Sequence, residues 1–190
     1  NLNYRLANGT TILLQQQLND IDAAINYIYS NATKYSINTN KIAIMGASAG
    51  AHLTLLKCYK ANTDGKIKAV VDLFGPTDMA WMYNSHPVAS LTQPIIVNVM
   101  GGTPTSSASV YTSGSPINFV TSTVPPTIIF HGTADPIVPI SESINLQAKL
   151  QLAGVTNQYI TYTGESHGWT GANLTDTYTK AVAFIKNYVK

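Results

Sequence analysis

With 190 residues, 45% of them hydrophobic, the chain is long enough to bury the core of one domain, and its apolar content excludes intrinsic disorder. Eleven basic and nine acidic residues give a net charge of +2 with no clustered Lys/Arg stripe, which argues against a nucleic-acid surface. Apolar runs such as Ile42–Met45 and Ile128–Phe130 fall far short of the ~20 residues needed to span a bilayer.

A single cysteine, Cys58, excludes an internal disulfide and any multi-cysteine metal site. Charged residues make up 11% of the chain against ~25% in an average soluble protein, and Asn, Thr, Ser and Tyr take their place. That composition favours a secreted or periplasmic location.

In chain order, Asn3–Leu6 reads as the tail of a strand. From Leu14 to Tyr29, apolar Leu14, Leu18, Ile21, Ile25 and Ile28 recur at helical spacing, predicting an amphipathic helix. Lys41–Met45 reads as a buried parallel strand, Ala49–Tyr59 as a helix, and Ile67–Phe74 as a second buried strand ending at Gly75-Pro76. Residues 78–122 carry Pro87, Pro94, Gly101-Gly102, Pro104 and Pro116 among many Ser and Thr. They read as an irregular excursion with one short helix around Gln93–Met100. Regularity resumes with a strand at Thr127–His131, a helix at Ser141–Ala153 closed by Gly154, and a strand at Gln158–Tyr162. A last helix, about Thr175–Val189, aligns Tyr178, Val182, Ile185 and Val189 on one face. This alternation predicts a single α/β domain over 1–190 with a parallel sheet covered on both faces.

Within this frame, Gly46-Ala47-Ser48-Ala49-Gly50 matches the nucleophile-elbow pattern G-x-S-x-G, with a strand before it and a helix after. The small residues fit a strained turn in which bulk at Gly46 or Gly50 would meet backbone. The helix N-terminus points at the site, so the N–H of Ala49 is a natural oxyanion donor. A serine hydroxyl needs a base, and the base needs an orienting group.

Of four histidines, His167 lies in Gly164-Glu165-Ser166-His167-Gly168-Trp169, directly after a strand, at the carboxyl edge where α/β sites assemble. His52 reads as structural, His86 as solvent-facing, and His131 as a structural or supporting group. Asp135, just beyond the Thr127–His131 strand, leads as the orienting acid. Asp72, Asp78 and Asp176 compete with it; Asp176 reads as a helix cap and Asp78 as a loop brace.

The order Ser48, Asp135, His167 is the α/β-hydrolase order. The chain resembles the esterase/lipase branch of that superfamily, which includes bifunctional deacetylase/feruloyl esterases and acetyl-esterase-like enzymes. The resemblance rests on Asn3–Ala7, Gly46–Leu53, Val70–Asp78, Ser115–Ile117, Pro125–Pro139 and His167-Gly168. It implies a serine hydrolase acting on carboxylic esters, including acetyl and feruloyl groups on carbohydrates. Ser48 is then the nucleophile, Asp135 the acid and His167 the base, with no metal or organic cofactor. Trp81, Met82 and Trp169 are candidate pocket walls, each with a core role as its alternative. A peptidase of the prolyl-oligopeptidase type, or a catalytically weak fragment, is the competing reading.

The resemblance also implies that three strands, a helix and an H-G-G-type loop with further oxyanion donors precede the Asn3–Ala7 segment. None of these lies in the sequence. A fragment, or a variant completed by an oligomer partner, would account for the gap; loss of one oxyanion donor costs about 10²–10³ in rate.

Overall fold

The computed structural model describes residues 1–62 and 65–190. In chain order its elements are α1 (Leu14–Ser30), β1 (Ile42–Ala47), α2 (Ala49–Ala61), β2 (Ile67–Leu73), α3 (Met79–Ser85) and α4 (Ala89–Met100). After these come α5 (Ala108–Gly114), a 3-10 turn (Pro116–Phe119), β3 (Thr127–Gly132), α6 (Ser141–Leu152), β4 (Asn157–Tyr162) and α7 (Gly171–Tyr188). The packing resolves into two compact units, residues 40–78 with 116–190 and residues 1–39 with 79–115.

The first of these units holds the sheet, four parallel strands in the order β1-β2-β3-β4. Together with its covering helices this is an α/β-hydrolase architecture. Period-two alternation divides the apolar residues between two layers. Val70 and Ile129 join Leu55, Cys58 and Tyr59 of α2 and Leu146 and Leu150 of α6 on one face. Ala69, Val71, Ile128 and Phe130 join Tyr162, Trp169, Ala181 and Phe184 on the other. Strands buried on both faces carry continuous apolar runs, which explains why β2 and β3 are legible as buried strands. Among the described residues β1 pairs only with β2, and its Met45 is 41% exposed.

On α7 the structure bears out half of the expected apolar face, with Ile185 and Val189 packed against the core, and corrects the other half. Tyr178 and Val182 are about half exposed, and the buried stripe is Thr177, Ala181 and Phe184. The reason is polar. Thr177 Oγ1 accepts the indole N–H of Trp169 at 2.8 Å and donates to the Tyr162 hydroxyl or the Asn173 carbonyl, so a threonine faces inward. Asp176 sits inside this helix, accepts the Tyr162 hydroxyl at 2.9 Å and pairs with Lys180; it is not the cap.

The second unit is helical. On α1, Leu14, Gln17 and Ile21 face inward. Residues 3–6 form no strand. The Arg5 N–H and guanidinium both bond to the Asp20 carboxylate, and the Arg5 carbonyl accepts the Gln17 amide at 3.1 Å. Side chains of α1 thus satisfy backbone groups that a ladder would otherwise take.

The reading of 78–122 as an irregular excursion is corrected, since most of that stretch is helical; the one helix expected there, around Gln93–Met100, is the second part of α4. Pro94 stands inside α4, whose inner face, Thr92, Ile96 and Met100, keeps a four-residue spacing. Burial of that face offsets the one missing N–H. Gly101, at φ +74°, ends the helix by donating to the Val97 carbonyl at 2.8 Å. His86 is buried rather than solvent-facing, and its Nδ1 accepts the Val88 N–H at 3.0 Å.

Candidate active site

The chain leaves β1 through a sharp turn into α2, with Ser48 at φ +52° and ψ −121°. For a residue with a Cβ such a conformation costs about 1–3 kcal/mol, so the surroundings must enforce it. They do so from both sides: the Ser48 N–H donates to the Leu73 carbonyl at the end of β2 at 2.9 Å, and its own carbonyl accepts the His52 N–H at 3.0 Å. His52 is buried in α2.

Gly46 is sterically required, because a Cβ there would lie 2.3 Å from the Gly50 carbonyl oxygen. Gly50 is not, since a Cβ at that position meets nothing within 4 Å; the expectation of a collision there is wrong. Ala49 opens α2, where first-turn N–H groups lack intrahelical acceptors.

Two further loops leave the carboxyl ends of β3 and β4. They are joined at Gly132, where a Cβ would lie 2.4 Å from the carbonyl oxygens of both Glu165 and Ser166. Around that contact Ala134 N–H donates to the Glu165 carbonyl at 2.9 Å, and Gly164 N–H donates to Thr133 Oγ1 at 2.8 Å. Gly132 carries no chemistry of its own, yet it sets the spacing of the loops bearing Asp135 and His167. Its sequence signal is a glycine at the very end of a strand, next to His131.

Ser48 Oγ donates to His167 Nε2 at 2.8 Å, and His167 Nδ1 donates to Asp135 Oδ2 at 2.7 Å. The Asp135 side chain is fully buried and that of His167 is 20% exposed, so one end of the relay is dry and the other reaches solvent. Asp135 Oδ1 accepts the N–H groups of Ile137 at 2.8 Å and Val138 at 3.0 Å. Burial alone would raise the proton affinity of Asp135. Hydrogen bonds from His131, His167, Val138 and Ile137 overcome that and hold the carboxyl well below the ordinary carboxylate range. A permanent anion therefore faces the imidazole. The ring of Phe74, at φ +45° just past β2, packs edgewise on His167 with centroids 4.7 Å apart.

Trp169 is buried in the layer under α7, against Phe74 and Tyr162. Trp81 and Met82 belong to α3 of the helical unit, Met82 buried and Trp81 half-buried. Asp72 lies inside β2, and the backbone N–H of Asp78 donates to Glu142 Oε2 at 2.7 Å. Cys58 is buried, which pushes its thiol up to about 12 and removes it as a nucleophile. Among the described residues no group of three or more His, Cys, Asp or Glu could hold a metal ion, and no helix is long and apolar enough to cross a membrane.

The sequence model of the BD-FAE family matches residues 1–150. The esterase LipQ of Mycobacterium tuberculosis is 30% identical over 71% of the chain. The chain spans 34% of LipQ's length and 40% of that of a second matching esterase, LipC of the same organism. Among solved structures, a truncated form of a carbohydrate esterase from gut microbiota superposes with a TM-score of 0.82 at 28% identity, over 97% of this chain and 73% of that one. A bifunctional GH43-CE protein of Bacteroides eggerthii gives a TM-score of 0.82 at 28% identity, over 94% of this chain and 28% of that one.

Proposed function

The chain belongs to the BD-FAE family of α/β-hydrolases, and on that premise we propose that it hydrolyses carboxylic esters by a two-step serine mechanism. The observation that carries this reading is the continuous relay from Ser48 Oγ through His167 to Asp135, at 2.8 and 2.7 Å.

His167 Nε2 takes the hydroxyl proton as Ser48 Oγ attacks the acyl carbon, and the buried Asp135 anion stabilises the imidazolium that forms. The Ala49 N–H, at the head of α2, faces the developing oxyanion. The imidazolium then returns its proton to the leaving alcohol. An acyl group is left on Ser48, and a water activated by the same imidazole removes it. The substrates are short acyl esters, acetyl or feruloyl, on carbohydrates; the likeness to a solved carbohydrate esterase supports the carbohydrate part of this reading.

The test is labelling with a fluorophosphonate probe, located by peptide mass spectrometry, followed by a comparison of 4-nitrophenyl acetate, a feruloyl ester and a dipeptidyl anilide. Labelling at Ser48 with faster turnover of the esters is expected. An unlabelled Ser48 defeats the serine mechanism, and a preference for the anilide defeats the ester reading.

A further inference from the structure

The acid of the relay touches a second histidine that the mechanism does not use. His131, the penultimate residue of β3, is fully buried. Its Nε2 lies 2.8 Å from the Val138 carbonyl oxygen and 3.3 Å from Asp135 Oδ2. Both neighbours are acceptors, so Nε2 carries a hydrogen. Its Nδ1 lies 2.7 Å from Ser143 Oγ, on the first turn of α6. In the neutral ring Ser143 donates to Nδ1, which fixes the tautomer with the hydrogen on Nε2.

Val138 is held at both ends of its backbone: its N–H donates to Asp135 Oδ1 at 3.0 Å while its carbonyl accepts from His131. The ring thus clips the 135–138 turn shut and aims a donor at the same carboxylate oxygen that receives His167.

We infer that His131 is a positioning residue for this chemistry: aimed by Ser143, its Nε2–H ties the Val138 carbonyl to the Asp135 carboxylate and so sets the angle at which Asp135 meets His167. The inference rests on the serine-esterase reading for its kinetic consequence, but not for its geometry.

A buried histidine serving stability alone has different consequences. Its removal lowers the melting temperature and leaves the His167–Asp135 hydrogen bond as it was. A positioning role changes that bond in protein that is still folded. Misplacement of about 1 Å far from the chemistry can cost about 10²-fold in rate.

The experiment compares His131→Leu, His131→Gln and Ser143→Ala with the unsubstituted protein. Proton NMR follows the far-downfield signal of the His167 Nδ1–H held by Asp135, and kcat and KM are measured on 4-nitrophenyl acetate. In His131→Leu the signal shifts or broadens and kcat falls about 10²-fold with KM little changed. Glutamine, whose amide N–H can reach the place of Nε2, restores part of both. Should the leucine variant not fold, Ser143→Ala keeps the ring but releases its tautomer, and a displaced signal with a several-fold loss of kcat is expected.

An unmoved signal in the folded variants overturns the inference, as do equal losses in the leucine and glutamine variants that track only melting temperature. If the unsubstituted protein resists the fluorophosphonate, the esterase reading fails by itself, and the NMR comparison still decides the positioning role.

Discussion

Asp72 and Asp135 are both fully buried carboxylates near the carboxyl ends of neighbouring strands, yet they behave in opposite ways. Asp135 gathers Ile137 and Val138 N–H on one oxygen and His167 on the other, with His131 beside it at 3.3 Å. Asp72 has one donor, the Gly75 N–H at 2.9 Å, and its Oδ2 finds none among the described residues. Burial pushes Asp72 up to about 7, against which the Gly75 bond and the nearby His131 work only in part. Burial is common to both; the number of donors separates them. A dry carboxylate serves as a standing anion only where the backbone turns back to greet it, as residues 135–138 do.

The largest effect expected from this contrast is at Asp135→Asn. It leaves the turn in place and removes the charge, so kcat should drop by about 10⁴, the size seen for the equivalent change in serine proteases. A loss under tenfold in steady-state assays would break the contrast outright.

Next comes Gly132→Ala. Its methyl must displace the Glu165 and Ser166 carbonyls, now 2.4 Å from the site, at a cost of about 1–3 kcal/mol. Thermal unfolding should show that loss alongside slower turnover; an unchanged melting temperature would mean the two loops yield independently.

Smaller again is Asp72→Asn, whose signature is its dependence on pH. The folded carboxyl titrates above its unfolded counterpart. Both states are protonated below about pH 4, and stability is lost as pH rises from there through about 7. The variant lacks that loss, so its melting temperature should gain on that of the unsubstituted protein between pH 4 and 8. A constant difference across that range would show that Asp72 ionises freely.

The smallest effect belongs to Gly50→Ala. With open space around the added methyl, stability should change by no more than about 0.5–1 kcal/mol, and toward gain, because alanine suits a helix better.

Much of the sheet and of the relay was legible in the chain itself. Buried parallel strands announce themselves as apolar runs, and β2 and β3 lie within a residue of their expected bounds. Ser48, Asp135 and His167 each follow a strand end, so their convergence at one rim follows from topology.

What stayed hidden was set by contacts distant in sequence. Within 79–114 the sequence shows one helix, Gln93–Met100, which is the second part of α4, while the start of α4 and the helices α3 and α5 lack a signal of their own; Thr92, Ile96 and Met100 preserve the helical spacing. On α7 the inward place of Thr177 carries no apolar signal, and only the neighbouring Trp169 and Tyr162 make it an inward residue. The sequence marks His131 as a structural or supporting group, and its partners Val138 and Ser143 become visible only once β3 and α6 pack.

The close approach at Gly132 has a consequence for engineering by recombination. Because two loops lean on one hydrogen-sized gap, neither can be exchanged for a homologous segment of different length without its mate. A chimera built from a relative should import residues 132–138 and 163–168 together, as a single cassette.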